Sequence, residues 1–480
     1  MHRALRFCPA FLLLGLVSAP VPGQESRIGA LALAHVTVID MTGAPAKPDM
    51  TVVVSGSRIV AVGKTGRVRL PEGAQVIDAA GKFLIPGLWD MHVHLTETER
   101  TLPMLVANGV TGVRDMGGNQ ESLFRWRAEI AAGALPGPRI VACGPILDGP
   151  EPASDPAYTV IVGDAAAGRL AVDTLAQQGA DCVKVYDRLP REAYFAIVEE
   201  ARKKELPAVG HVPLSVTTLE ASEAGQRSIE HLGTILEGSS SIEPELRKLA
   251  EAPLPSGDFS EFPRRIAARG ERMLDTYDEQ KARHLFARLA RNRTWQVPTL
   301  VVKRALAYVD DIVRDGDARL KYIPKQEQEW WSPQKSFLLR YRTPEYIVYS
   351  KRLFRKSLEL VGAMQRAGVP FMTGTDLVSG YIYPGFSLHD ELALFVEAGF
   401  TPMEALQAAT RNPARFLGEQ DSRGTVERGK LADLVLLDAN PLEDIRNTQR
   451  IDAVVLNGRY LPREALQKLL AGAEAAAARE

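Results

Sequence analysis

Phe83-Leu84-Ile85-Pro86-Gly87-Leu88-Trp89-Asp90-Met91-His92-Val93-His94-Leu95 is the stretch on which the fold turns. An apolar run that feeds two histidines at i and i+2 reads as a buried strand, with Pro86-Gly87 punctuating its entry. Side chains two apart on a strand share one face. His92 and His94 can therefore address one ion from the end of a single strand, as a zinc or similar site requires. Taken alone the pair is a weak signal, because two hydrogen-bonded core histidines give the same pattern.

Downstream of that strand the chain alternates strand and helix. Candidate strands are 88–94, 110–116, 139–144, 182–186, 208–212, 228–232, 295–300 and 371–376, and helical periodicity fills most gaps, as over 164–178, 191–204 and 351–367. Eight such units predict an α/β fold, a (β/α)8 barrel over residues 86–417. This span exceeds the ~250 residues usual for a barrel. The surplus falls near 237–277 and 303–345, both after strands, which places both inserts at the C-terminal face where barrel enzymes keep their active sites. The second insert carries Tyr308, Tyr322, Trp330, Trp331, Phe337 and Tyr341. Aromatics over a catalytic face can line a pocket and exclude water, which makes Trp330 and Trp331 candidate substrate contacts; a dimer interface or a satellite core is the alternative.

Upstream, the texture changes. Alternating segments at 34–40, 50–54 and 58–63, broken by Ser55-Gly56-Ser57, read as antiparallel sheet. The same texture returns at 424–438 and 453–458. The two ends, 24–85 and 418–465, are expected to build one small composite β-sandwich domain. The Ala-, Leu- and Glu-rich tail after Pro462 reads as a terminal helix.

Residues 1–23 read as a signal peptide: Arg3 and Arg6 precede a short apolar run, 10–17, and small residues follow, with 17–19 or the preferred 21–23 as cleavage motif. That run is too short to span a bilayer. The expectation is an exported protein, periplasmic or secreted, without stable membrane insertion after cleavage. Cys8 lies in the signal; Cys143 and Cys182 fall on predicted strands and are expected to be buried thiols, with no disulfide. With 58 basic and 59 acidic residues the chain offers no electrostatic reason to bind nucleic acid. The expected partner is a small-molecule substrate, and a homo-oligomer is left open.

Polar residues recur where the barrel strands should end. His211 lies on the fifth strand, His231 on the sixth, Asp376 at the tip of the eighth, and Lys184 stands on the fourth between Val183 and Val185. Lysine is almost never buried without a partner, so Lys184 asks for a reason. Tyr186, two residues further along the same face, is a candidate substrate contact, as is His389 at the start of the helix after strand eight, although packing is the plainer role for each. His284, among charged residues on a helix, reads as surface. Arg114 and Asp115 on the second strand read as an internal ion pair.

At these residues the sequence resembles the amidohydrolase superfamily over nearly the whole chain after the signal, and most closely its imidazolonepropionase-like branch of binuclear metal-dependent dipeptidases and amidases. The resemblance rests on 86–94, Gly109-Val110-Thr111-Gly112-Val113-Arg114-Asp115, Lys184, Gly210-His211-Val212, Ile229-Glu230-His231, Thr373-Gly374-Thr375-Asp376, 408–414 and 429–434. It implies that His92, His94 and Asp376 hold a buried divalent ion, that His211 and His231 hold a more exposed one, and that Lys184, carboxylated by CO2, bridges both. Zinc is the expected metal. Chemistry supports the bridge: an ammonium beside two cations would be repelled, whereas a carbamate is an anion with two oxygens, and burial lowers lysine's pKa toward the reactive neutral amine. The implied activity is hydrolysis of an amide bond, in a dipeptide or N-acyl amino acid, by a metal-bridging hydroxide, with Asp376 as the catalytic proton shuttle. Hydrolysis of an ester, lactone or cyclic amide at the same site is the alternative; a one-metal enzyme is argued against by Lys184, and a binding protein by the complete ligand set.

Overall fold

The computed structural model describes residues 29–251, 261–336, 339–377 and 379–480, apart from the side chain of residue 314. The predicted signal peptide and part of the first insert lie outside these residues.

The barrel strands follow the expected order: Leu88–Val93, Val110–Asp115, Arg139–Ala142, Val183–Val185, Ala208–Gly210, Ser228–Glu230 and Trp295–Val297, then an extended segment over 371–376. All pairings among them are parallel. The eighth segment closes the ring. Met372 donates its backbone N–H to Gln296 on strand seven, while Met91 donates to Thr373 and Asp376 to His92 on strand one. Strand three is broken at Gly144, which takes φ +74°, a left-handed angle that glycine adopts without strain. Its continuation, Ile146–Asp148, pairs with strand four, and Asp181 donates to the Ala142 carbonyl before the break.

Strands buried on both faces read as continuous apolar runs, which is why the barrel strands lack alternation. Their inward side chains form a separate core of Trp89, Met91, Met116, Val209, Val297 and Met372 beneath the mouth. Cys143 and Cys182 belong to that layer and are joined by a disulfide. The expectation of two free thiols is therefore corrected. Both cysteines do lie buried at strand ends, but strands three and four are neighbours, and their register sets the two Cα atoms 4.4 Å apart, within bridging reach.

The chain ends form one eight-stranded sheet. Its main path runs Arg459–Pro462, Ile451–Leu456, Leu434–Leu437, Phe83–Pro86, Leu31–Val38, Lys47–Ser55, Arg58–Lys64, and Gln75–Asp78 also pairs with Leu31–Val38. It encloses its own core of Leu33, Val36, Val52, Val54, Leu84, Leu434 and Val455. Phe83–Pro86 thus lies in the interior of this sheet, between Leu434–Leu437 and Leu31–Val38, and after Gly87 the same chain becomes the first barrel strand. The terminal helix Arg463–Ala477 packs on the barrel, setting Leu466 against Val106 and Ala107 of the helix Thr101–Ala107. Among the described residues no helix is long and apolar enough to cross a membrane.

The insert after strand seven is largely helical, with Leu300–Asp315, a 3-10 turn over Ala318–Tyr322, and Lys325–Trp331. Trp331 is 7% exposed and packs on Tyr381 and Tyr383, at ring centroid distances of 5.5 and 5.8 Å, in a satellite core with Ile323. Trp330, one position along the same helix, is 63% exposed. Trp331 is thus committed to the satellite core, and Trp330 faces solvent. Residues one apart on a helix face different directions, so Trp331 could enter this satellite core only with Trp330 turned away.

Candidate metal centre

Strand ends deliver the site. His92 and His94 leave strand one, Lys184 strand four, His211 strand five, His231 strand six and Asp376 the eighth segment. His92, His94 and Asp376 offer ligand atoms that all lie within 4.8 Å of one another. Asp376 Oδ1 stands 3.3 Å from His92 Nε2 and 3.6 Å from His94 Nε2. The His92 and His231 rings are 4.7 Å apart at their centroids, and those of His211 and His231 4.9 Å. Tyr186 stacks on His211 at 4.0 Å and lies 5.5 Å from the Lys184 ammonium.

The four imidazoles share one device. Each Nδ1 is held by the protein: His92 by Glu230 Oε2 at 3.0 Å, His94 by the Gly117 carbonyl at 2.8 Å, His211 by Asp187 Oδ1 at 2.9 Å, His231 by Thr299 Oγ1 at 2.7 Å. An acceptor at Nδ1 fixes the proton there and leaves Nε2 with a free lone pair, the arrangement that orients metal-binding histidines. His92 Nε2 and Lys184 Nζ are buried with no hydrogen-bond partner. Buried polar atoms are almost always satisfied, so two orphans facing one cluster fit residues arranged to hold a metal ion. Nitrogen and carboxylate donors in this number suit zinc or a similar divalent metal.

Electrostatics act in the same sense. Burial, and then the nearby Lys184 cation, hold His92 well below its ordinary pKa; burial and His92 do so for His231. Both rings stay neutral, as ligands must. Burial pulls Lys184 down to about 8 against the attraction of Glu230 and Asp376. Burial raises Asp187, but the attraction and hydrogen bond of His211 outweigh it and the net shift is downward.

Two glycines make room. At Gly210 (φ +122°) a Cβ would stand 2.8 Å from Lys184 Cδ, and at Gly374 it would stand 2.7 Å from His92 Cβ. Five other residues take left-handed angles at the mouth: His231, Leu232, Thr299, Asp376 and Tyr381. Such backbone strain gathers where a site must be held against local preference.

Four residues at or beside the site escaped the sequence reading. Glu230 bridges His92 to Arg114, whose Nη2 is 2.9 Å from Glu230 Oε1. Arg114 therefore pairs with Glu230 rather than with Asp115, which instead accepts from the Leu95 and Gly117 backbone. Adjacent strand residues point to opposite faces, so Arg114 and Asp115 could not have met. An acid inside the apolar strand Ser228–Glu230 was the available signal. Asp187 and Thr299 gave no signal, since their roles depend on loops. Lys303, half-buried one turn into Leu300–Asp315, is pulled down to about 8 by burial against the attraction of Asp376 and Glu391.

His389 does not reach the site. It is fully buried, with Nδ1 2.9 Å from Thr448 Oγ1 and Nε2 donating to the Asn108 carbonyl at 3.0 Å. Both ring nitrogens are occupied, which corrects it as a substrate contact. His284 is exposed, as expected.

Comparison with known proteins agrees with this geometry. The model of the amidohydrolase family matches residues 83–461. The ochratoxinase of Aspergillus niger is 41% identical over 91 residues, 18% of this chain and 18% of that protein. That match spans about a fifth of the curated relative's length. The structure of bottromycin amidohydrolase superposes with a TM-score of 0.73 at 25% identity, covering 93% of this chain and 90% of that one. A putative prolidase from Bifidobacterium longum gives 0.64 at 25% identity, covering 93% and 99%.

Proposed function

We propose that this chain, which belongs to the amidohydrolase family, is a binuclear metal-dependent hydrolase that cleaves an amide bond in a small molecule. The observation that carries the reading is the convergence of four Nε2-directed histidines, Asp376 and the orphaned Lys184 Nζ at one end of the barrel. His92, His94 and Asp376 would hold one ion, His211 and His231 the other, and Lys184 as its carbamate would bridge them. When bound, the ions acidify a water and polarise the scissile carbonyl. Asp376 takes the proton of the attacking water and delivers it to the leaving amine. Its Oδ1 faces His92 and His94, while Oδ2 accepts a hydrogen bond from Ser379 Oγ at 3.3 Å, which steadies the carboxylate between those tasks. Tyr186, packed on His211, forms one wall.

The bottromycin amidohydrolase and prolidase likenesses favour an amide over an ester. Export is part of the proposal: the disulfide Cys143–Cys182 supports an oxidising compartment. The test is turnover of a library of dipeptides, N-acyl amino acids, esters and lactones by zinc-loaded protein. Amide turnover abolished by chelation and restored by zinc is expected. Turnover confined to esters or lactones would overturn the amide reading.

A further inference from the structure

The helix Leu300–Asp315 starts without the cap its own sequence offers. Thr299 is the N-cap residue, and its carbonyl accepts the Val302 N–H at 3.2 Å. A threonine there ordinarily holds a first-turn N–H with its hydroxyl, from an extended backbone. Thr299 instead takes a left-handed φ of +46° and its side chain makes no such bond. Its Oγ1 lies 2.7 Å from His231 Nδ1. A β-branched residue is an outlier at that angle, so its conformation has to be held by the surrounding structure.

Another helix supplies the missing acceptor. Glu391, on the helix Phe386–Glu397, is fully buried. Its Oε1 accepts the Leu300 N–H at 3.0 Å and its Oε2 the Val301 N–H at 2.8 Å. These are the first two donors of the helix, which no intrahelical carbonyl can reach. Val301, the second helical residue, is also a donor that a threonine cap would take. His389, two residues before Glu391 and on another face, ties the same helix to the Asn108 carbonyl and to Thr448 Oγ1. A buried carboxyl group is costly unless its oxygens are used, and this one is used on the two N–H groups that follow Thr299.

We infer that Glu391 is a positioning residue for the second metal subsite: it caps the helix in place of Thr299 and so frees the Thr299 oxygen to hold His231 with its proton on Nδ1. The inference rests on the assignment of His211 and His231 to one ion, and extends it to a residue on a different helix. The physics is a competition for one oxygen. Without the Glu391 acceptor, the Leu300 and Val301 N–H groups are buried and unpaired, which is expensive. Thr299 then gains by returning to the extended cap geometry and taking the Val301 N–H itself. Its oxygen leaves His231, and the ring loses the bond that fixes its tautomer and direction. Glu391 therefore acts on the metal only through Thr299.

The experiment titrates zinc into metal-free protein against a competing chelator, and reads histidine tautomers in the metal-free protein by nitrogen NMR of isotope-labelled histidine. His231→Gln assigns both the His231 signal and the ion that His231 holds. Wild type should bind two ions and show His231 protonated at Nδ1. Glu391→Ala should weaken the His231 ion by about 10- to 100-fold, the usual worth of a ligand's partner, with the other ion much less affected. It should also move His231 toward the Nε2–H form. Thr299→Val, which keeps the branched shape without the oxygen, should do the same. The double variant should be no worse than either single change, as expected of residues that act as one unit. Glu391→Gln keeps one acceptor oxygen and should fall between wild type and Glu391→Ala, which keeps the test decisive if the alanine variant does not fold. A residue that matters only to the fold would lower the unfolding midpoint and leave the tautomer and the His231 ion unchanged. That result, or additive losses in the double variant, overturns the proposal. If wild type binds a single ion, the binuclear reading fails instead, and the His231 tautomer in the metal-free variants still decides the role of Glu391.

Discussion

Replacing Glu230 by Gln tests how the centre is held. Glu230 Oε2 receives the His92 Nδ1 proton at 3.0 Å, while Oε1 is 2.9 Å from Arg114 Nη2 and 2.6 Å from Ser228 Oγ. The Arg114, Glu230 and His92 side chains are all fully buried. Gln keeps the shape but turns an N–H toward either His92 or the Arg114–Ser228 side, and it removes the charge that compensates Arg114. Breaking a buried pair by removing one partner costs about 3–5 kcal/mol. Arg114 keeps bonds to the Met91 carbonyl at 2.8 Å and Ser228 Oγ at 3.0 Å, which places the loss near the lower end, about 3 kcal/mol. The partner of a ligating histidine is worth about 10- to 100-fold in metal affinity. Two assays separate these effects: denaturant unfolding of metal-free protein, and zinc titration against a competing chelator. The double variant Glu230→Gln/Arg114→Met should recover most of the stability, because no uncompensated charge remains, and only part of the affinity, because the Gln oxygen can then face His92 but is a neutral, weaker acceptor than the carboxylate. A Glu230→Gln protein as stable as wild type, with unchanged zinc affinity, would refute the reasoning.

Asp376→Asn should retain substantial metal while kcat falls by at least ~10²-fold, the low end for acid–base work, since Asn offers an oxygen but carries no proton; His284→Ala serves as the unaffected control, and a fully metallated Asp376→Asn enzyme of near-normal kcat would leave Asp376 as a ligand only. The Cys143–Cys182 bridge spans 39 residues of sequence, so reduction or a Cys143→Ala/Cys182→Ala change should destabilise the protein by about 2–4 kcal/mol in denaturant unfolding. Burial holds His389 down at about 4, below its ordinary 6.5, against the pull of its bond to Asn108. The unfolded chain therefore binds the extra proton first, and the stability contributed by neutral His389 is present above about 6.5 and lost as pH falls toward 4. His389→Gln should flatten that part of the pH–stability curve, as followed by thermal melts between pH 4 and 7.

The barrel and the polar cluster at its mouth were legible because each of these residues sits at the end of an apolar strand, where a polar residue stands out from its neighbours. His92, His94, Lys184, His211, His231 and Asp376 meet because parallel strands of one barrel all end at one face. What the sequence left unread depended on neighbours distant along the chain. Cys143 and Cys182 bridge because strand three resumes beyond Gly144 beside strand four, a register that periodicity does not carry. Arg114 finds Glu230 across 116 positions of sequence. Trp331 is an aromatic over a catalytic face by position, yet the turn of its short helix buries it against Tyr381 and Tyr383.

The central claim is that Lys184 bridges two ions. Elemental analysis of active, zinc-reconstituted protein, set beside its Lys184→Ala variant, tests it directly. The account predicts two ions per chain in wild type and a lower occupancy once the bridge is removed. One ion per chain in fully active wild type, or two retained by Lys184→Ala, would contradict it.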